Sequence, residues 1–285
     1  MAINKITLSL VSIAVLGSGA AFAKSRSHCP VTWKELDNAL KQAVDTSGVA
    51  TNTNGGFGLN MWATVVNTEG KVCAVTKSGT EINDQWLGSR VISAQKANTA
   101  NAFSLQSGAN NALDGLALST ANLWAATQPG GSLFGLQFSN PVDTKWAYHG
   151  NAKRFGTFRD PMKGRRVGGV NVFGGGLALY NDEGKLVGAV GVSGDSSCAD
   201  HNISWRVRDA LGLDYVPAGV GTPSDNIIYD VTVDPATGLG VSAGGFGHVD
   251  CGHGEAAANA KIVAQCPTND GANSDTCNTD ALSQP

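Results

Sequence analysis

The chain has 285 residues, a formal net charge of −3 and only 15% charged residues. This length allows one large domain with a sizeable core, and the mildly acidic charge gives no reason to expect nucleic acid or an anionic membrane surface as a partner. The 37 glycines favour a glycine-rich sheet with many turns over a helical bundle.

The N-terminus has the pattern of a secretory signal peptide. Lys5 supplies a positive charge, residues 6–16 form an apolar run, and Ala21-Phe22-Ala23 fits the cleavage pattern. We therefore expect residues 1–23 to be removed and the protein to be secreted or periplasmic. Because no other run reaches the roughly 18 apolar residues that a membrane helix needs, we expect no membrane span after signal removal.

The cysteines indicate disulfides rather than a metal ribbon or a redox motif. An even number of cysteines in an exported chain favours disulfide bonds, although the sequence cannot choose their pairing. No C-x-x-C motif occurs, which weakens a zinc-ribbon or thioredoxin-like reading. The six cysteines are Cys29, Cys73, Cys198, Cys251, Cys266 and Cys277.

The first half of the chain predicts two long helices separated by a hairpin. Thr32 and Glu35 form a capping box, in which each side chain bonds an amide at the start of a helix. Hydrophobic periodicity and turn residues place the other boundaries. The predicted elements are a helix from 32 to about 46, strands over 58–66 and 72–76, and helices over 84–104 and 113–125.

The glycine-rich stretch 184–195 predicts a strand with two unlike faces. Val190 and Val192 would point to one side of a sheet, and Ala189 and Gly191 to the other. We call the side with Ala189 and Gly191 the bare face, because its side chains are small or absent. We expect this face to pack against a stripe of small side chains on the helix over 84–104, because small residues permit close approach. This stripe consists of Ser89, Ser93, Ala97, Ala100 and Ser104.

The second half predicts a partner strand, a helix and a C-terminal extension. The strand over 177–180 pairs with 184–195, and an amphipathic helix follows Ser197, with His201, Trp205 and Arg208 on one face. Beyond Leu213, the turn residues predict a hairpin over 227–243, and a short helix follows over 255–264.

The segment over 141–166 has an unusual composition, and we call it the basic segment. It holds seven Lys or Arg residues against two carboxylates, together with several aromatic side chains. Cations pair with carboxylates, aromatic rings pack on flat apolar molecules, and histidine can ligate iron. The segment therefore suits haem, although a solvated insertion loop packed down by its aromatic side chains is the alternative. Candidate haem-binding residues are His149, Tyr148, Trp146 and Arg154, with His201 as a second possible ligand.

Other chemistry has weaker support from the sequence. There is no G-x-S-x-G elbow, dinucleotide loop or phosphate loop, and we assign no catalytic residue. A lip containing Ser193 and His201 is one alternative site for a small-substrate enzyme. His248, Asp250, Cys251 and His253 lie within six residues and offer metal ligands, of which His248 and His253 are the candidates if Cys251 is in a disulfide.

Two segments resemble those of the GlcG/HbpS-like family. One is Leu-Val-Gly-Ala-Val-Gly-Val-Ser-Gly over 186–194, which follows Gly-Gly-Gly-Leu-Ala-Leu over 174–179. The other is the helix with Ser-Ala-Gln-Lys-Ala-Asn-Thr-Ala-Asn-Ala-Phe over 93–103. The resemblance covers about 31–213, so we divide the chain into a domain over 24–213, with the basic segment as an insertion, and an extension over 214–285.

The resemblance implies an α+β, profilin-like fold, in which helices pack on the faces of an antiparallel five-stranded sheet. It also implies haem as cofactor, an assembly of several subunits, and at most a weak haem-degrading activity. We therefore predict an exported haem-binding homo-oligomer that takes part in haem or iron handling. The alternatives are the enzyme with the Ser193/His201 lip and an oligomeric structural or partner-binding protein that presents its extension.

Overall fold

A computed structural model describes residues 28–44, 53–108, 112–220 and 224–268. The predicted signal peptide and Cys277 lie outside these ranges. The helices are α1 (Trp33–Val44), α2 (Ser89–Phe103), α3 (Trp124–Thr127), α4 (Thr144–Ala147), α5 (Ser197–Ala210) and α6 (Glu255–Gln265). The strands are β1 (Trp62–Asn67), β2 (Val72–Lys77), β3 (Leu116–Ala117), β4 (Gly176–Tyr180), β5 (Leu186–Ser193), β6 (Ala218–Gly219), β7 (Val231–Val233) and β8 (Gly240–Ser242).

The main sheet is antiparallel and has four strands in the order β2-β1-β5-β4. The α+β prediction is therefore confirmed, but the described residues show one strand fewer than the five that the resemblance implies. At the edge of β2, the basic segment contributes two hydrogen bonds, from Val72 N to Arg165 O and from Gly164 N to Val72 O, each 2.8 Å. Gly164 has φ 79°, so the segment turns away instead of continuing as a strand.

Helices cover both faces of this sheet. On one face, α1 and α5 pack against side chains that include Leu177, Val190 and Val192. On the other face, α2 packs against Ala189 and the neighbouring strands. The alternation predicted for β5 is confirmed, because its bulky and bare faces meet different helices.

The bare face of β5 lies against the small-residue stripe of α2, as predicted. A Cβ atom on Gly191 would lie 2.0 Å from the Ser93 carbonyl oxygen and 2.5 Å from the Ala97 nitrogen. No side chain fits between these backbones, because both contacts are with main-chain atoms. The glycine at this position therefore allows α2 to approach the sheet closely.

Local hydrogen bonds determine where helices α1 and α2 begin. The capping box is confirmed, since the Thr32 amide donates to the Glu35 carboxylate at 2.6 Å and the Glu35 amide donates to Thr32 Oγ1 at 3.3 Å. These two bonds lower the pKa of Glu35. In contrast, α2 begins at Ser89 and not near Asp84, because Asp84 accepts the Glu81 amide at 2.7 Å in a preceding turn.

The helix predicted over 113–125 is wrong. Leu116–Ala117 forms β3, which pairs in parallel with β6 from the extension, and only a 3₁₀ turn and the short α3 follow. Gly115 has φ 67° and interrupts any helix at that point. A pairing between distant segments has overridden the local periodicity here.

The described part of the extension packs against α5. Arg208 and Asp225 form a buried bidentate pair with both N···O distances at 2.8 Å, and the Trp205 indole donates to the Cys266 carbonyl oxygen at 3.0 Å. Ile262 of α6 belongs to the same hydrophobic cluster as α1 and α5. The predicted hairpin is present as the short strands β7 and β8. None of the helices in the described ranges has the length and apolarity to cross a bilayer.

Candidate functional site

A buried ion pair anchors the basic segment to α2. Arg90 Nε lies 2.9 Å from Asp160 Oδ2, and Arg90 Nη1 donates to the Ala147 carbonyl oxygen at 3.0 Å. The side chains of Arg90 and Asp160 are only 2% and 1% exposed. Asp160 also accepts the amides of Gly156 and Met162 at 2.8 and 2.9 Å, so its oxygens have several donors. The segment is therefore docked on α2, which is compatible both with a haem site and with the alternative of a solvated loop packed down by its aromatic side chains.

The predicted haem-binding residues of this segment lie on its surface. Tyr148, His149 and Arg154 are exposed, and Trp146 is half-buried. The His149 ring meets Trp146 edge-on, with 5.8 Å between the centroids. Arg165 lies over the Trp146 ring at 4.0 Å and Lys145 at 4.9 Å. The structure thus brings His149 and Trp146 together and leaves the imidazole accessible from solvent.

His201 has a different environment from His149. It is fully buried, and its Nε2 accepts the Ile227 amide at 3.1 Å beside the Asn226 side chain. Burial lowers the pKa of His201 to about 4, so the ring is neutral at pH 7. Its partners belong to α5 and the extension and not to the basic segment. The structure therefore does not bring His201 and His149 into one haem site.

A cavity of about 210 Å³ lies where β5 ends and where α2 and α5 begin. Its walls combine aromatic and aliphatic side chains with hydroxyl and carboxylate groups. The lining residues are Trp86, Ser89, Ile92, Phe173, Ser193, Asp195, Ser197 and Asp200.

A second buried ion pair holds the turn beside this cavity. Lys96 of α2 lies 2.6 Å from Asp200 Oδ2 and donates to the Val192 carbonyl oxygen at 3.0 Å. Asp200 Oδ1 accepts the amides of Gly194 and Asp195 at 3.1 and 2.8 Å. Burial raises the pKa of Asp200 to about 6 and lowers the pKa of Lys96. The pair ties the turn after β5 to both α2 and α5.

Ser197 of the cavity wall is hydrogen-bonded to a histidine from the extension. Ser197 Oγ lies 2.8 Å from Nε2 of His248, and Nδ1 of the same ring lies 2.7 Å from the Val249 carbonyl oxygen. A carbonyl oxygen only accepts, so Nδ1 carries the proton and Nε2 accepts the Ser197 hydroxyl proton. Burial lowers the pKa of His248, which keeps the ring neutral.

A disulfide holds these two chain segments together. Cys198, which follows Ser197, is bonded to Cys251, which lies three residues beyond His248. A second disulfide joins Cys29 and Cys73, and Cys266 is also disulfide-bonded. The prediction of disulfides is confirmed for these cysteines.

Two of the alternative predictions are not assembled by the structure. In the Ser193/His201 lip, the buried His201 is hydrogen-bonded to Asn226 and Ile227 and not to Ser193. His253 is exposed and its ring lies tilted against the Phe57 ring with 4.4 Å between centroids, whereas both nitrogens of His248 are hydrogen-bonded to Ser197 and Val249.

The cysteines beside the predicted metal ligand His248 are not available as thiolate ligands. Among the described residues, the group with ligand atoms within 4.8 Å of one another is Cys198, His248 and Cys251. The two sulfurs are bonded to each other and cannot act as thiolate ligands in this oxidised form.

Comparison with known proteins decides the family. A family profile described as "Haem degrading protein HbpS-like" matches residues 36–207, which is more than half of the chain. The chain belongs to the HbpS-like family. No curated protein sequence is similar enough to the chain to count as a match.

Two solved structures are similar to this HbpS-like chain. One is the Klebsiella pneumoniae protein ORFY, with 21% identity, a TM-score of 0.38, and coverage of 62% of this chain and 86% of that one. The other is the PduOC:heme complex, with 22% identity, a TM-score of 0.38, and coverage of 61% and 88%.

The HbpS-like match separates the site residues into two groups. The basic segment, Ser197 and His201 lie inside the matched range, whereas His248 and the Cys251 end of the disulfide lie beyond it. The sequence indicates His248 only as a candidate metal ligand, and 51 residues separate it from Ser197. The cysteine pair was the available signal, since a Cys198–Cys251 bond brings the two segments together.

Proposed function

We propose that the protein is an exported haem-binding protein whose haem site is the exposed surface of the basic segment. The observation that carries the proposal is the accessible His149 imidazole, which lies against Trp146 in a cationic, aromatic segment of an HbpS-like chain. The buried Arg90–Asp160 pair supports it, because a docked segment presents these side chains from a fixed backbone.

The residues of this surface fit the chemistry of haem. His149 would ligate the iron, the Trp146 and Tyr148 rings would pack on the macrocycle, and Arg154 would pair with a propionate. When bound, haem supplies a redox-active iron. The cavity near Ser197 is a poorer candidate, because its volume of about 210 Å³ is below the roughly 300–1,000 Å³ of sites for drug-sized ligands.

Titration of the purified protein with haemin tests this proposal. We expect a saturable Soret shift for the wild type, and His149→Ala should weaken haem binding by about 10-fold or more, because it removes the iron ligand. His253→Ala is the matched control, since His253 is also exposed and also contacts an aromatic ring. No saturable shift, or equal binding by wild type and His149→Ala, would overturn the site.

The proposal also places the protein outside the cytoplasm as an assembly of several subunits. The Cys29–Cys73 and Cys198–Cys251 disulfides support an oxidising compartment. Fractionation of bacteria that express the full chain should find the protein outside the cytoplasm. Light scattering of that fraction should give a mass above one subunit, and a monomer would rule out the assembly.

A further inference from the structure

The Ser197–His248 pair has the arrangement of a nucleophile and its base. Ser197 lines the cavity and its Oγ contacts Nε2 of His248 at 2.8 Å, while His248 is 1% exposed. The Val249 carbonyl oxygen at 2.7 Å fixes the tautomer in which Nε2 is free to take a proton. The Gly174 amide donates to Ser197 Oγ at 2.6 Å and helps to fix the hydroxyl group. A nucleophile, a base and a group that orients the base are therefore in hydrogen-bond contact.

We propose that Ser197 and His248 form a catalytic dyad that hydrolyses small, uncharged carboxylic esters in this cavity. The volume of about 210 Å³ admits a short acyl group. Trp86, Ile92 and Phe173 offer apolar surface to that group, and none of the lining residues is a Lys or Arg that could bind an anionic substrate. This activity is separate from haem binding and uses a different part of the molecule.

The reaction needs only the ester and water. Ser197 Oγ attacks the ester carbonyl carbon and forms a C–O bond, while the hydroxyl proton moves to His248 Nε2. The bond between that carbon and the leaving alkoxide then breaks, and His248 returns the proton to the alkoxide to give the alcohol. Water attacks the acyl-enzyme with His248 again as base, which releases the carboxylic acid and restores the Ser197 hydroxyl.

The start of α5 supplies electrostatic stabilisation for this reaction. Ser197 is the first residue of α5, a helix of 14 residues. The carbon that bears the oxyanion is bonded to Ser197 Oγ, so the negative charge develops next to the N-terminus of this helix. The positive end of the helix dipole favours negative charge there. Developing charge and helix terminus are adjacent because the nucleophile itself belongs to the first turn.

Labelling of the haem-free, full chain with a fluorophosphonate tests the proposed nucleophile. This reagent forms a stable adduct on activated serine hydroxyls, and we expect peptide mass spectrometry to find it on Ser197. Ser139→Ala is the control variant and should leave the labelling unchanged, because Ser139 is exposed and its hydroxyl group donates to the Leu136 carbonyl oxygen and not to a histidine. An adduct on Ser193 or on other serines, or no adduct at all on the folded wild type, would overturn the proposal.

Hydrolysis of p-nitrophenyl acetate tests the pair. We expect Ser197→Ala and His248→Gln each to lower kcat/KM by about 100-fold or more, and the double variant to lose no more than either single variant. Circular dichroism checks that the variants are folded. Additive losses in the double variant, or wild-type turnover by a folded Ser197→Ala, would contradict a dyad. The result is independent of haem, since no haem is present.

Discussion

Helix α2 contributes one buried cation to each of two regions, of which one is an exposed surface and the other borders a small cavity. Arg90 pairs with Asp160 and anchors the exposed basic segment, whereas Lys96 pairs with Asp200 and anchors the turn beside a small cavity. Both pairs also bind backbone groups, as buried charges require. The comparison shows how one helix holds in place both a surface suited to a large flat ligand and a cavity suited to a small one.

The largest expected effect comes from breaking the pair beside the cavity. Lys96→Met leaves the Asp200 carboxylate buried without its cation, and we expect the free energy of unfolding to fall by about 3–5 kcal/mol. Denaturant unfolding at pH 7 measures this loss. Glu69→Gln, which breaks the exposed pair with Arg166, is the control and should cost at most about 1 kcal/mol. Equal losses in the two variants would show that Lys96 does not anchor this region.

The next effect concerns the pH dependence of stability on the α5 side. The pKa of His201 is about 4 in the folded protein and near 6.5 in the unfolded chain. Below pH 6.5 the unfolded chain therefore binds a proton that the native state does not, and stability falls as the pH falls towards 4, by on the order of 3 kcal/mol.

Urea unfolding at pH 7 and at pH 4.5 tests this dependence. His201→Gln should lose less stability between the two pH values than the wild type does, although it starts from a lower value. Ser139→Ala removes no titrating group and should keep the wild-type slope. A slope unchanged by His201→Gln would show that His201 does not remain neutral in the core.

A smaller effect is expected from breaking the anchor of the basic segment. Asp160→Asn removes the charge that faces Arg90 but keeps one side-chain oxygen that can accept its hydrogen bonds. Arg90 also still contacts the Ala147 carbonyl oxygen and the Phe155 ring, so we expect a loss of about 2 kcal/mol in stability. Haemin affinity should fall in the same variant, while hydrolysis of p-nitrophenyl acetate should stay at the wild-type rate. Loss of both activities would mean that the two regions are coupled through α2.

The features that the sequence predicts correctly depend on neighbouring residues. The Thr32/Glu35 capping box, the two hairpins of the main sheet and the bare face of β5 follow from spacings of a few residues. The packing of α2 on Gly191 was also predictable, because two bare surfaces of the right kind occur in the chain. Family membership followed from the same local segments.

The features that the sequence could not supply depend on contacts between distant residues. Arg90 and Asp160 are 70 residues apart, and Ser197 and His248 are 51 apart, so no periodicity connects them. The pairing of β3 with β6 replaced a helix for the same reason. The burial of His201 depends on residues 226–227 of the extension, which fold back over α5.

The Cys198–Cys251 disulfide gives the proposed esterase a dependence on its compartment. This bond joins the two segments that carry Ser197 and His248. Thiols stay reduced in the cytoplasm and oxidise in exported proteins, so a chain that is exported as proposed would gain the covalent link between nucleophile and base only after it leaves the cytoplasm. Export would then activate the enzyme. The protein would acquire its hydrolytic activity only outside the cytoplasm, so that esters inside the producing cell would not be hydrolysed.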